Sequence, residues 1–202
     1  MSSTDLSKPN SIKTILNGIW DDHPVFAGIL GICSSLAVSN RIENAIAMGA
    51  GVTFVLLATG ILISILRKII PRRVRMITYM IVIASFVIIV DRFLKAFFPD
   101  ISTSIGPYVG LIITNCILMG RAEAFYIQNT LFQSILDALA NGFGYTYTLL
   151  IIAVIRELLG FGSLLGFKVM PSGWTNWVVI SMAPGAFFVL SLFIWVTRTL
   201  SK

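Results

Sequence analysis

The sequence contains only two cysteines, and they are the residues with the most distinctive chemistry. Each follows a proline by nine residues inside a short apolar run: Pro24 precedes Cys33, and Pro107 precedes Cys116. Proline suits the first turn of a helix because its missing N–H is not needed there, so each pair predicts a helix start followed by a buried thiol. Nine residues rise about 13.5 Å in a helix, close to half of a bilayer's hydrocarbon core. The spacing therefore predicts both thiols near mid-membrane.

The composition is that of an integral membrane protein. Of the 202 residues, 56% are hydrophobic and only 12% are charged, and the mean hydropathy is +0.90. The chain is long enough for one membrane domain, without a polar stretch that would fold as a separate soluble module. The formal charge of +6 does not indicate nucleic-acid binding, because the basic residues are concentrated between apolar runs, as in membrane loops. We therefore expect a lipid bilayer as the surroundings and no nucleic-acid partner.

Six apolar segments follow a polar N-terminal tail. The tail comprises residues 1–23, in which we expect an interfacial amphipathic helix, and the membrane domain comprises residues 24–202. The predicted fold class is all-α, a polytopic membrane protein with six transmembrane helices of which the first and fourth are short. The segments lie at about 24–39, 44–66, 76–95, 105–120, 134–156 and 177–198.

The basic residues are distributed unequally between the two sides of this domain. Ten lie on the side that holds both termini and five on the other, and the turn at 67–75 contributes half of the ten. Loops rich in Lys and Arg remain in the cytoplasm. Both termini are therefore predicted to be cytoplasmic.

The two halves of the sequence resemble each other. The Pro-to-Cys segment recurs at an offset of 83 residues, and the Arg-x-Glu pair that follows it recurs at an offset of 80. The halves, about 24–98 and 105–200, each contain three membrane segments, and an odd number inverts the second half relative to the first. The two short helices then enter from opposite faces of the membrane. Cys33 and Cys116 are thereby expected to meet near the midplane.

Two thiols that meet at the midplane are candidate ligands of a soft metal. A free cysteine in a membrane helix is commonly an inert small hydrophobe. The equivalent placement of Cys33 and Cys116 favours a shared task instead, with thiolate ligation as the candidate. A zinc ion or an iron–sulfur cluster needs four ligands, so a second copy or a related chain would supply the other two.

Two carboxylates are candidates for an ion path, because an ionisable group inside a membrane segment is costly. They are Asp91 and Asp137. The alternative for Asp91 is a pair with Arg92 or Lys95 at a helix end, and the alternative for Asp137 is a position near the cytoplasmic interface. The sequence leaves both alternatives open.

Six stretches of the sequence resemble one family of membrane proteins. They are GICSSLAV, VIIVDRFLKAF with a following DIS, GLIITNCILMGRAEAF, NGFGY, IRELLGFG and APGAFF. The family includes the D subunit of sodium-translocating NADH:quinone oxidoreductases and the E subunit of Rnf-type ferredoxin:NAD oxidoreductases. The VDRFLKAF stretch favours the quinone reductases, as does Ser34, where the Rnf protein typically has proline. Gly185 is closer to the Rnf type.

The resemblance implies a membrane electron-transfer subunit that is not catalytic alone. Cys33 and Cys116 match the family's ligand positions for a 2Fe–2S cluster shared with a homologous inverted E subunit. Such a cluster relays electrons across the bacterial inner membrane, coupled to sodium export from cytoplasm to periplasm. NADH, FMN and quinone are expected only on other members of a complex that also contains subunits A, B, C and F.

Three other interpretations remain open from the sequence. The first is an Rnf-type E subunit, and the second is a small secondary transporter built from inverted repeats. A transporter site would present charged or hydrogen-bonding groups at the midplane, whereas the two cysteines lie in apolar sequence. The third is a passive assembly subunit, which would tolerate alanine at both cysteines.

Overall fold

The computed structural model describes residues 30–164, 167–168 and 178–200, and these residues are predominantly helical. The first half contains α1 (Ile32–Val38), α2 (Ile42–Leu66), a 3₁₀ turn (Arg72–Val74) and α3 (Arg75–Phe97). The second half contains α4 (Pro99–Ile113), α5 (Cys116–Arg121), a π-helical turn (Ala122–Tyr126), α6 (Leu131–Phe161), α7 (Val178–Ser181) and α8 (Ala183–Leu200). A two-residue antiparallel ladder between β1 (Ser163–Leu164) and β2 (Phe167–Lys168) follows α6. The predicted all-α class is confirmed.

Four stretches are long and apolar enough, by length and composition, to cross a membrane: Ile42–Leu66, Arg72–Phe97, Gly106–Tyr126 and Leu131–Gly160. A shorter apolar stretch, Pro184–Thr197, lies within α8. These stretches match the second to the sixth predicted segments and confirm a polytopic membrane protein. Residues 24–29 of the first predicted segment, Pro24 included, and the interfacial helix expected within 1–23 lie outside the described residues.

The fourth predicted helix begins and ends differently from the prediction. It begins at Pro99 rather than near Pro107, which lies inside the helix. Phe98 has a non-helical backbone, and Pro99 occupies the first helical position, where a missing N–H costs nothing. An internal proline removes one backbone hydrogen bond but is tolerated in membrane helices. The helix ends at Ile113 and a new one starts at Cys116, so Pro107 and Cys116 do not share one continuous helix.

The most extensive helix-to-helix contact joins α2 and α6, which correspond to the second and fifth predicted membrane segments. A Cβ atom at Gly49 would lie 2.7 Å from Cγ2 of Thr146, and a Cβ atom at Gly142 would lie 2.7 Å from Cγ2 of Thr53. Each threonine hydroxyl donates to the carbonyl of the glycine four residues before it, at 2.8 Å. The contacts are therefore reciprocal and antiparallel, as a two-fold axis between inverted halves requires. Glycine at these positions lets the two backbones approach closely.

Large side chains are found both in the core and on the outer faces of the helices. Three tyrosines are among the largest fully buried side chains: Tyr79, Tyr126 and Tyr145. The outward faces of α3 and α8 expose large apolar residues, including Ile81 and Phe188. Exposed apolar surface on this scale suits helices whose outer faces contact hydrocarbon or other membrane helices.

Candidate metal centre at two helix starts

Both cysteines lie in the first turn of a short helix that directly follows a residue whose backbone is not helical. Cys33 is the second residue of α1, whose N-cap is Gly31, and Cys116 is the first residue of α5, whose N-cap is Asn115. Gly31 has a φ of +80°, in the left-handed region that favours glycine. The equivalent sequence positions of the cysteines therefore correspond to equivalent positions in the fold. These positions are helix starts rather than points nine residues along a continuous helix.

The two helix starts are in contact. The backbone N–H of Gly31 donates a hydrogen bond to Sγ of Cys116, with an N to S distance of 2.8 Å. Gly31 lies two residues before Cys33, so the turn that carries Cys33 packs against the thiol of Cys116. The structure thus brings together the two cysteine-bearing turns, which are 83 residues apart in sequence.

The two thiols differ in exposure. Both are free, but Cys33 is exposed whereas Cys116 is partly buried. The expectation of a buried thiol is therefore wrong for Cys33. The cause is the orientation of α1, which buries Ser34, Ser35 and Val38 in the protein and leaves the side chain of Cys33 on its outer face. A thiol in this position can reach a metal centre that a neighbouring chain also binds.

The donor set suits a soft metal but is incomplete. Thiolates are the ligands that zinc and iron–sulfur clusters prefer, and an N–H directed at a ligand sulfur is a common feature of iron–sulfur sites. Four ligands are needed, and within the described part of the chain no three His, Cys, Asp or Glu side chains come close enough to hold a metal ion. Cys33 and Cys116 can therefore supply at most two of the four ligands.

A buried polar network connects the two cysteine turns. The Ser34 hydroxyl oxygen lies 2.6 Å from the Tyr145 hydroxyl and accepts from the side-chain N–H of Asn115 at 3.2 Å. The side-chain oxygen Oδ1 of Asn115 accepts from the N–H of Ile117 at 3.1 Å and so caps α5. Sequence patterns alone did not predict this network. Asparagine before an apolar run is an N-cap signal that locates the break, but no sequence signal separates Tyr145 from an ordinary packing residue.

The two candidate ion-path carboxylates lie in different surroundings. Oδ2 of Asp91 accepts from Nζ of Lys95 at 2.6 Å, one turn along α3. Asp137 is only 2% exposed, and its Oδ1 lies 2.6 Å from Nη2 of Arg121. Arg121 is the last residue of α5 and is partly buried, and the pair joins α5 to α6. Asp91 therefore has the helix-end partner of its alternative interpretation, whereas Asp137 lies in the protein core.

The far end of α1 is held by two charged residues of α6. Arg156 is 2% exposed and donates to the Leu36 carbonyl at 3.1 Å and to the Ser39 hydroxyl at 2.7 Å. Glu157 accepts from the backbone N–H of Ile42, the first residue of α2, at 2.9 Å. These side chains satisfy backbone groups at both sides of the α1–α2 gap, which a membrane interior requires.

Comparison with known proteins identifies related membrane proteins. A sequence profile described as "Rnf-Nqr subunit, membrane protein" matches residues 11–194. The chain belongs to the Rnf-Nqr family. The D subunit of the Na(+)-translocating NADH-quinone reductase of Chlamydia pneumoniae is 44% identical over 95% of both chains. The D subunits from Psychromonas ingrahamii and Pseudoalteromonas atlantica are 45% and 43% identical, over 96% of both chains and over 93% and 92% of them respectively.

The Rnf-Nqr match covers the candidate centre. It includes both cysteine turns, the polar network and the Arg156–Glu157 contacts to α1 and α2. These three relatives are named as components of quinone reductases. Their names agree with the quinone-reductase type, which the VDRFLKAF stretch and Ser34 favour.

Proposed function

We propose that this chain is an electron-transfer subunit of a sodium-translocating NADH:quinone reductase, and that Cys33 and Cys116 supply two ligands of a 2Fe–2S cluster. The observation that carries the proposal is the 2.8 Å hydrogen bond from Gly31 N–H to Cys116 Sγ. It joins the turns of the only two cysteines in a chain whose relatives are components of that enzyme. Sodium export from cytoplasm to periplasm belongs to the same proposal.

The chain's own residues provide position and an electrostatic environment. When bound, a 2Fe–2S cluster supplies a one-electron carrier. Asn115 caps α5 and fixes the first turn that contains Cys116. Gly31 directs an N–H at the sulfur of Cys116, and hydrogen bonds to ligand sulfur stabilise the added negative charge of a reduced centre.

The proposal requires a second membrane protein as partner. The exposed thiol of Cys33 supports ligation across an interface, because a ligand that is shared between chains must lie at the surface of each. The partner is proposed to be a homologous E subunit of opposite orientation, which contributes the other two ligands. NADH, FMN and quinone are then bound elsewhere in the complex, which subunits A, B, C and F complete.

The proposed topology places both termini in the cytoplasm of a bacterial cell. The support is the ten-to-five distribution of basic residues, dominated by the turn at 67–75. Reporter fusions after Arg73 and at Lys202 test it, and a reporter that works only in the cytoplasm is expected to be active at both positions. Activity of a periplasmic reporter at either position would reverse the topology.

Asp91 and Asp137 are proposed to lie on the sodium path. Their support is that each is an ionisable group within a membrane-crossing stretch. Asp91→Asn or Asp137→Asn is then expected to raise the sodium concentration that gives half-maximal quinone reduction. An unchanged sodium dependence in both variants removes the two residues from the path.

Replacement of the cysteines tests the central claim. Cys33→Ser and Cys116→Ser are each expected to abolish the cluster's electron paramagnetic resonance signal and electron flow from NADH to quinone in the purified complex. Oxidation of NADH with an artificial acceptor is expected to remain. The control is Thr114→Ser. Thr114 is exposed and lies two residues before Cys116, and this variant is expected to retain iron and activity.

The composition of the complex must be measured for every variant, because loss of a metal ligand also weakens an interface. A fully assembled double-serine complex with wild-type iron content and quinone reduction would overturn the ligand assignment. A wild-type complex with zinc or no metal at these cysteines would favour a transporter or a structural scaffold. Full turnover with alanine at both cysteines would favour a passive assembly subunit.

A further inference from the structure

Three polar side chains next to the two cysteine turns are linked by hydrogen bonds. Each comes from a different helical region. Ser34 follows Cys33 in α1, Asn115 precedes Cys116, and Tyr145 lies in the middle of α6. Their exposed fractions are 2%, 4% and 0%. Polar groups buried this deeply in a membrane protein are costly unless they are hydrogen-bonded to one another. We refer to Ser34, Asn115 and Tyr145 as the hydroxyl–amide triad.

The Ser34 hydroxyl is the centre of this triad. It lies 3.0 Å from the Gly31 carbonyl oxygen, to which it can donate, and 2.6 Å from the Tyr145 hydroxyl oxygen, where either hydroxyl can be the donor. It also accepts from the Asn115 side-chain N–H at 3.2 Å. Three partners match the hydrogen-bonding capacity of a hydroxyl group. A network that is fully satisfied in a low-dielectric interior is rigid.

The triad controls the position of Gly31. Its carbonyl accepts from the hydroxyls of Ser34 and Ser35, at 3.0 and 2.9 Å, while its N–H donates to Cys116 Sγ. A Cβ atom at Gly31 would lie 3.1 Å from Cε2 of Tyr145, so the tyrosine ring also packs directly against this residue. The Tyr145 side chain therefore helps to fix Gly31, through its hydroxyl contact with Ser34 and through its ring, and Gly31 carries the N–H that donates to the sulfur.

We propose that Tyr145, acting through Ser34 and Asn115, is a positioning residue that sets the reduction potential of the centre held by Cys33 and Cys116. This inference rests on the proposed function. Tyr145 is not itself a ligand of the centre, and it acts by holding Gly31, whose N–H donates to Cys116 Sγ. A hydrogen bond to ligand sulfur favours the reduced, more negative form, so loosening it lowers the potential.

The test compares Tyr145→Phe with Tyr147→Phe in the whole purified complex. Both substitutions remove one hydroxyl from the same helix, but Tyr147 is 62% exposed. Tyr145→Phe is expected to keep wild-type iron content while its centre becomes harder to reduce. We expect a change of about three- to tenfold in the reduced-to-oxidised ratio at a fixed potential, tenfold being about 59 mV for a one-electron couple. Tyr147→Phe is expected to titrate as the wild type.

A second variant keeps the inference testable if Tyr145→Phe fails to assemble. Asn115→Ser retains a good N-cap for α5 but removes the amide N–H that reaches Ser34. It is expected to shift the potential in the same direction. A centre in either assembled variant that titrates at the wild-type potential overturns the inference, whatever the iron content, because a purely structural role changes the amount of the centre and not its potential.

The same experiment separates failure of this inference from failure of the proposed function. If the wild-type complex has no redox signal that depends on Cys33 and Cys116, the proposed function is wrong and the inference falls with it. If that signal is present and the Tyr145→Phe titration is unchanged, only the role of the triad is wrong. A shift that is equally large in Tyr147→Phe also overturns the role of Tyr145, because it would not depend on the buried hydroxyl.

Discussion

The two halves of the chain are alike where α2 meets α6 and differ where the cysteines lie. At the α2–α6 contact, Gly49 faces Thr146 and Gly142 faces Thr53, and a Cβ atom added at either glycine would lie 2.7 Å from Cγ2 of the facing threonine. At the cysteine turns, the residue two positions before Cys33 is Gly31, with φ +80°, while the residue two positions before Cys116 is Thr114, with φ −90°. The first is buried and the second is exposed.

This difference assigns different tasks to the two regions. Reciprocal contacts between glycine and threonine need only a common backbone, and both halves retain it. The cysteine turns are specialised, because the first half supplies the N–H of Gly31 and the second half supplies the sulfur that accepts it. An inverted repeat can therefore keep its symmetry in the scaffold while it loses symmetry at the site.

Substitution of Gly31 is expected to have the largest effect on stability. In Gly31→Ala, the new Cβ would lie 2.6 Å from Cδ1 of Ile117 and 3.1 Å from the Tyr145 ring, on a backbone with positive φ. The strained backbone and the overlap together should destabilise the chain by about 2–4 kcal/mol. We expect a lower midpoint of thermal unfolding and loss of the centre's redox signal.

Thr114→Ala is the matched control for Gly31→Ala, because Thr114 occupies the corresponding position in the second half and is exposed. It should change the unfolding midpoint little, since exposed substitutions usually stay within about 0.5 kcal/mol. Equal destabilisation by the two alanines would contradict the claim that the cysteine turns have become unequal.

The sequence predicted the scaffold better than the site, and the reasons are physical. Hydrophobic runs define α2, α3 and α6 to within a few residues, because crossing hydrocarbon imposes a length. The break before Cys116 lies inside an otherwise apolar run, and Asn115 is the N-cap residue that marks it. The exposure of Cys33 depends on how α1 packs against distant helices, which no local pattern contains.

Two arginines at corresponding helix ends give a smaller contrast. Arg156, near the end of α6, is buried and donates to the Leu36 carbonyl, the Ser39 hydroxyl and a carbonyl of α7. Arg67, at the end of α2, is partly buried, and its Nη1 donates to the Asn129 carbonyl at 2.7 Å. Arg156→Met should cost about 3 kcal/mol and Arg67→Met about 1 kcal/mol, because more acceptors lose a charged donor in the first. Chemical unfolding of each purified variant in mixed micelles measures both, and an equal or reversed order would contradict this explanation.

The smallest expected difference between the two halves is in the symmetric region. Gly49→Ala and Gly142→Ala each place a Cβ 2.7 Å from a threonine Cγ2, and each should destabilise the α2–α6 contact by about 1–3 kcal/mol. Because the contacts are reciprocal, the two losses should agree within about 0.5 kcal/mol. Thr146→Ala combined with Gly49→Ala removes the atoms that the new Cβ meets and should recover most of the loss, and Thr53→Ala should do the same for Gly142→Ala. Recovery in one pair but not in the other would show that the two-fold relation between the halves does not extend to their packing energies.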